Sequence, residues 1–500
     1  MKNSKLLDAL LMLVVVLAAA GLAVLLEVRA AAPAEAPAQD GTLQAVGLPY
    51  AGILALQHIN ELGLTEPASA TVRFASPDGT TLRTITNPAL PPESVTFYTG
   101  PDDPADAAWT LYPTSPEEGT RVYGVSYQTG PAGNTAYLGM DYASAVSPQY
   151  DLYRLWIMFQ VKNAAGWSSA FVLQNRSGQL PANLVLTFLN DSGYIVCEDF
   201  SMIPAGGSRA YYLEAVDCLP PDFTGSAVAS SDQPLAVGAA RLVYQPAQLA
   251  CDYRGVNLEE TSTHLVAPAL FKDYDLQTSS LCIWNAGSLE TMICVAYSDG
   301  LADRAMVAPN ASWCLHQASE AHAEGWVGGA EIEAGQPLAA VVRVTASGDS
   351  GPAGCWAYTA TPGRAEVRAV GTGLALPLIL NDGDWSTRTY LYNEGDAPAT
   401  VERRMVSSSG TVYCPEPVVI PPHSARVLEP GDLPPTLRQG MAYLNATEPV
   451  AAAVGMTSKQ LVGTTDRHMG YRAAYGAAPC PMPDTCDSLG KVLLPLVVMH

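Results

Sequence analysis

Several short stretches of the chain bring reactive or ligating side chains near one another. Gly348-Asp349-Ser350-Gly351 has the form of a serine-nucleophile loop, but that chemistry needs a histidine base and an aspartate to orient it. The nearest upstream histidines, His316 and His322, stand in a loop-like stretch. The segment itself falls between two strand-like runs, so it reads as a turn. Glu331 with Glu333, and Glu259 with Glu260, are the paired carboxylates a sugar hydrolase would need; solvated loop charge is the simpler reading. Asp102, Asp103 and Asp106, and separately Asp382 and Asp384, crowd hard oxygen ligands together. That is the chemistry of a structural Ca²⁺, although neither run has an EF-hand spacing. Trp109, Trp313 and Trp326 fall near loops, where an indole face could stack on a carbohydrate. No GxSxG, HExxH, Walker loop or dinucleotide fingerprint occurs, so no catalytic residue and no cofactor beyond that calcium is expected.

The elements that would position these residues come in repeats, and self-similarity is the first thing to look for in a chain of this length. An apolar run ending in Asn occurs at Asn60, Asn175, Asn285 and Asn393. A polar turn ending in Gly follows 15 to 19 residues later, at Gly79, Gly193, Gly300 and Gly410. Proline turns come next at Pro91, Pro204, Pro309 and Pro421. Gly225, Gly328 and Gly440 each precede a proline by nine residues. Tyr142, Tyr253, Tyr358 and Tyr471 close the units. The period is about 105 to 115 residues. The first unit is the most diverged, with EEGTRVYGVSYQTG in place of the Gly-to-Pro segment. Runs such as LVLTFLNDSGYIVCEDF mix β-branched and aromatic residues over four to eight positions between turn residues, which is strand chemistry. The expected fold class is all-β, four tandem immunoglobulin-like β-sandwiches.

Composition and the chain ends agree with this. Of 500 residues, 48% are apolar and only 15% charged, with 42 Gly and 39 Pro, which suits short strands and tight turns. A formal charge of −22 excludes nucleic acid as a partner, because phosphate binding needs a basic surface. Lys2 and Lys5 precede an unbroken apolar run from Ala9 to Leu26, and Val28-Arg29-Ala30 supplies a cleavage pattern. Residues 1–30 therefore read as a signal peptide or an uncleaved membrane anchor, and either places the rest of the chain outside the cytoplasm. A Pro/Ala linker over 31–47 leads to sandwiches over 48–145, 146–258, 259–362 and 363–478, then a cysteine-containing tail over 479–500.

Ten cysteines fit an oxidising compartment. Cys197 and Cys218 lie 21 apart in the second unit, and Cys294 and Cys314 lie 20 apart in matching places of the third, so a disulfide is expected within each. Cys480 and Cys486 are expected to bond to each other. Cys251 and Cys355 share the closing-strand position, where Met140 and Met469 stand in the other units; they read either as buried thiols or as partners of cysteines elsewhere. Spacing leaves the pairing of Cys251, Cys282, Cys355 and Cys414 open. Trp167 and Trp385 each stand eight residues before a repeat Asn, a register that points to packing.

Two features carry a resemblance. GWSSAFVLQNRSG and LPLILNDGDWSTRTYLYNEG share Trp-Ser, an apolar strand and Asn, and the chain ends in KVLLPLVVMH. In both, the chain resembles exported β-sandwich repeat proteins of the Chloroflexota with a short Leu-Pro-Leu-Val tail. Here Leu493 replaces the usual aromatic before Leu-Pro, and His500 the usual basic ending. The resemblance implies export and a tail used in surface retention, and it carries no catalytic residue. The expected function is that of a non-catalytic, exported cell-surface or extracellular structural protein. Its partners would be cell-envelope or extracellular-matrix components, glycans or other surface proteins. A membrane would be met only through the N-terminal segment. The alternatives are an adhesin or carbohydrate-binding protein, and a secreted hydrolase.

Overall fold

The structure, a computed structural model, describes residues 51–475 with breaks, nearly continuously from 152 to 363; residues 1–50 and 476–500 lie outside the described residues. The N-terminal segment, the linker and the tail fall in those ends. Among the described residues there is no α-helix, only strands and short 3₁₀ turns such as Leu213–Ala215. Two-residue alternation shapes the strands: Ala182–Asn190 buries Ala182, Leu184, Leu186 and Phe188 and turns Asn183 to solvent.

From Tyr153 to Asn257 nine strands succeed one another: Tyr153–Lys162, Trp167–Asn175, Ala182–Asn190, Ile195–Ile203, Ser208–Tyr212, Phe223–Ser231, Leu235–Tyr244, Leu249–Tyr253 and Val256–Asn257. They pair antiparallel in two sheets, ordered 4-3-6-1-9 and 5-2-7-8. Leu155, Leu184 and Phe188 from one sheet meet Phe171, Leu173 and Leu242 from the other in a single core, which makes the pair a sandwich. The same order recurs over 262–362, where Trp326–Gly348 serves as both sixth and seventh strand, and over 373–475. Among the described residues, the sheets of 51–138 show the second to eighth strands of it. An immunoglobulin sandwich sets its first strand beside the second and its last beside the sixth. Here the first strand lies beside the sixth and the seventh beside the second, a strand order that differs from the immunoglobulin one within the same two-sheet architecture. The exchange leaves the first strand free to pack on the next sandwich and the eighth strand on a sheet edge.

Those two strands join the sandwiches into one compact unit. The first strands Tyr153–Lys162, Ser262–Lys272 and Gly373–Leu380 pack respectively on the sandwiches of 262–362, 373–475 and 51–138. The eighth strands Gly133–Leu138, Leu249–Tyr253, Gly351–Thr359 and His468–Arg472 pack each on the next, and the last returns to the first. Contacts between successive sandwiches thus close on themselves. The turn glycines take part: Gly193, at φ 84°, sits so close to the Pro309 carbonyl of the following sandwich that a Cβ would come within 2.6 Å of it.

The recurring residues prove to be structural fixtures. The fully buried amide nitrogens of Asn175, Asn285 and Asn393 each donate to three carbonyls, two of them at the proline turn: Ile203 and Pro204, Val307 and Ala308, Ile420 and Pro421. Each Asn Oδ1 accepts a backbone N–H two residues on, from Ser177, Gly287 and Gly395. One side chain so stitches two turns, and nothing but Asn or a close mimic offers both donor and acceptor there. The Tyr253 hydroxyl bonds to the Met158 carbonyl, and that of Tyr358 to the Ala269 carbonyl at 2.7 Å. Burial pushes both phenols well above their ordinary range.

Cys197 is bonded to Cys218. The second expected pair is corrected: Cys314 bonds to Cys282, and Cys294 is a half-buried free thiol. Cys294 lies on Thr291–Tyr297, ahead of the Gly300 turn, whereas Cys197 comes after the Gly193 turn, so equal spacing hides an offset of one strand. Cys282 and Cys314 face each other in the register of neighbouring strands. Cys251 bonds to Cys355, joining the eighth strands of two sandwiches. Cys414 is also disulfide-bonded, and Cys480 and Cys486 lie outside the described residues. Disulfides suit an oxidising, extracellular-type environment.

Candidate functional site

A cluster of titratable side chains lies where the sandwich of 262–362 meets that of 373–475. His264 sits on the first strand, Ser262–Lys272, directly across from Glu333 on Trp326–Gly348. Glu331 is two residues before Glu333, and residues i and i+2 of a strand share a face, so all three point to one side of the sheet. One ligand atom from each lies within 4.8 Å of the others.

The sandwich of 373–475 closes over them. Glu331 Oε1 accepts from the Tyr392 hydroxyl at 2.9 Å and pairs with His423 Nδ1 at 2.8 Å. His423 stands at φ 50° in the proline turn that Asn393 holds, and its Nε2 is 3.3 Å from Asp396 Oδ1. Glu331 Oε2 is left facing His264 Nε2 at 3.6 Å, beyond a hydrogen bond, and that nitrogen is buried without a hydrogen-bond partner. Gly363 makes room for the imidazole, since a Cβ there would come within 2.5 Å of His264 Nδ1. Glu331 and His264 are 15% and 18% exposed, His423 50%.

This layout sets the electrostatics. Interaction with Glu331 raises the His264 pKa against the desolvation that would lower it, and the charge of Glu394 adds to the rise. Glu331 likewise raises His423. Burial alone would raise Glu331, but its interactions with His264, His423 and Tyr392 hold its carboxyl below the usual carboxylate range. The cluster is rich in negative charge, with imidazole and carboxylate donors converging.

No family model and no curated protein matches the chain.

Of the residues singled out from sequence, Glu331 and Glu333 belong to this cluster; Glu260 instead completes a capping box with Asn257 and pairs with Arg254. Trp326 is half-buried, with the His322 ring stacked on it at 3.8 Å between centroids. Trp313 is half-buried against the same core. The side chain of Trp109 lies outside the described residues, as do Asp102, Asp103, Asp106, Asp382 and Asp384. Gly348 and Gly351 face each other across a hairpin, and Asp349 and Ser350 lie outside the described residues. Trp167 and Trp385 are buried in their cores. Gln277, at the same register of the sandwich between, accepts from the Trp356 indole at 3.1 Å. Sequence reading did not reach His264 or His423, because they belong to different units and meet only when the sandwiches pack.

Proposed function

We propose that the chain is a non-catalytic, exported structural protein of the cell surface or extracellular space. In this reading it comprises four copies of one sandwich module, locked together rather than strung as beads. The observation that carries the reading is the disulfide between Cys251 and Cys355, which ties one sandwich to the next inside a buried seam. A protein that must hold its shape outside the cell gains from such a covalent tie. The recurring Asn and Tyr side chains support it as well, since they hold turns and strands in place. Cell-envelope or matrix components are the partners this reading implies.

The test is made on intact cells of the native host. A membrane-impermeant biotinylation reagent should label the chain, and alkylation without prior reduction should leave Cys251 and Cys355 unmodified. A chain labelled only after lysis, with those thiols free to alkylate, would sink the reading.

One observation favours adhesion as a second reading. On the edge strand Ile195–Ile203 and the turn before it, Tyr194, Ile195, Phe200 and Met202 are 72%, 61%, 69% and 58% exposed. Saturable binding on a glycan array, lost on replacing Tyr194 and Phe200 by Ala, would support it; no binding would remove it.

A further inference from the structure

We propose that His264, Glu331 and Glu333 form a binding site for one divalent first-row transition ion such as Zn²⁺, seated at the seam between the sandwiches of 262–362 and 373–475. The proposal does not depend on the export reading and goes beyond it.

Three observations carry it. The first is distance. Zinc holds imidazole nitrogen and carboxylate oxygen at about 2.0–2.2 Å, which puts neighbouring tetrahedral ligands about 3.3 Å apart. The 3.6 Å between His264 Nε2 and Glu331 Oε2 is too long for a hydrogen bond and close to that edge. The second is orientation. Tyr392 and His423 both engage Glu331 Oε1, which turns Oε2 toward His264. Carboxylate ligands in metal sites are fixed in this way by an outer ring of partners. The third is the free hydrogen-bonding capacity of the imidazole: His264 Nε2 is buried with no hydrogen bond, and Gly363 leaves room for the ring. Glu333, exposed and opposite His264, supplies the third ligand and leaves a fourth position toward solvent.

The surrounding charge suits a cation. Glu331 and Glu333 face the site from one strand, and Glu394 lies near enough to His264 for its charge to act there. Imidazole holds a metal only as the neutral ring, so binding should weaken as pH falls. Imidazole with carboxylate favours zinc, copper or nickel over calcium, which takes oxygen ligands alone.

The test is titration of the untagged, full chain with Zn²⁺ by calorimetry at pH 7.5, and with Co²⁺ followed by visible absorption. One equivalent should bind saturably, and Co²⁺ should give the visible bands of a site with nitrogen and oxygen ligands. His264→Ala should abolish this binding, Glu333→Gln should weaken it, and Tyr392→Phe should weaken it about ten-fold. His316→Ala, an exposed histidine elsewhere, should leave it unchanged. Glu333→Gln leaves the seam side chains in place, so its result stands even if His264→Ala fails to fold. Absence of saturable Zn²⁺ and Co²⁺ binding by the unaltered chain, or binding indifferent to His264→Ala and Glu333→Gln, would overturn the proposal and leave the cluster an ion pair.

Discussion

Two seams of the molecule share one topology and are sealed by different chemistry. Between the sandwiches of 153–257 and 262–362 the seal is covalent and apolar. Cys251 bonds to Cys355, and Trp284, Ala339, Val341 and Ala357 of one sandwich join the core of the other. The Ser312 N–H and hydroxyl add bonds to Asp191 at 3.0 and 2.9 Å. Between 262–362 and 373–475 aromatic contacts remain, with Phe271 edge-on to Tyr390 at 5.0 Å, but no disulfide crosses among the described residues. Polar groups take its place: Arg388 bridges Asp275 and Glu429 at 2.5 and 2.9 Å, and elsewhere on the seam His264, Glu331, His423 and Tyr392 form their cluster. The repeat therefore fixes where sandwiches meet and leaves free how the meeting is sealed. One seam should answer to reduction, the other to protons, salt and metal.

The largest effect should come from the covalent seal. The Cys251–Cys355 bond spans 104 residues, and constraining so long a loop stabilises by about 4–5 kcal/mol on the chain-entropy account. Replacing both cysteines by Ser should lower the urea midpoint of the 153–362 region accordingly; an unchanged midpoint would mean that the apolar seal suffices alone.

Within the sandwiches, Asn285→Ala and Asn393→Ala should each cost about 3 kcal/mol, because each strands several buried polar groups at once. Equal costs by denaturant unfolding would strengthen the view that both units are built alike. A negligible cost at either would refute it.

The polar seam should respond to pH. His264 and His423 have folded pKa values raised above the ordinary 6.5. Their contribution is complete below that value and lost as pH rises through the folded values. Glu331 is lowered, so its contribution holds above the ordinary 4.5 and fails in acid. In EDTA, the hydrogen-exchange protection of the strand Trp385–Asn393, corrected for the intrinsic rise of exchange with pH, should therefore fall as pH rises above 6.5, while that of Leu249–Tyr253 holds. His423→Ala should flatten the change; a slope that persists would point to other groups.

The smallest effect belongs to Arg388→Ala. A partly exposed ion pair contributes about 0.5–1 kcal/mol, screened away by about 0.5 M salt. Equal thermal stability of variant and parent in high salt, with a difference in low salt, is the expected pattern.

What could be read from sequence was what one unit decides for itself. Strand runs, the turn glycines and the Asn at each strand end are local, and the Cys197–Cys218 bond closes within one module. The strand order was not legible, because exchanging the first and seventh strands changes no residue pattern. Spacing alone pairs Cys314 with Cys294, since it lacks the register that sets Cys314 opposite Cys282. The Cys251–Cys355 bond and the meeting of Glu331 with His423, 92 residues apart, depend on how sandwiches pack, which no single unit encodes.

Both seams belong to a set of contacts that closes, with the strands of 373–475 meeting those of 51–138. Small-angle X-ray scattering of the chain measures that closure. About 450 residues packed as one body should give a radius of gyration of roughly 23 Å, whereas four separate sandwiches in a row would give roughly 40 Å. A value near the first supports closure; a value near the second, or one that varies with salt, contradicts it.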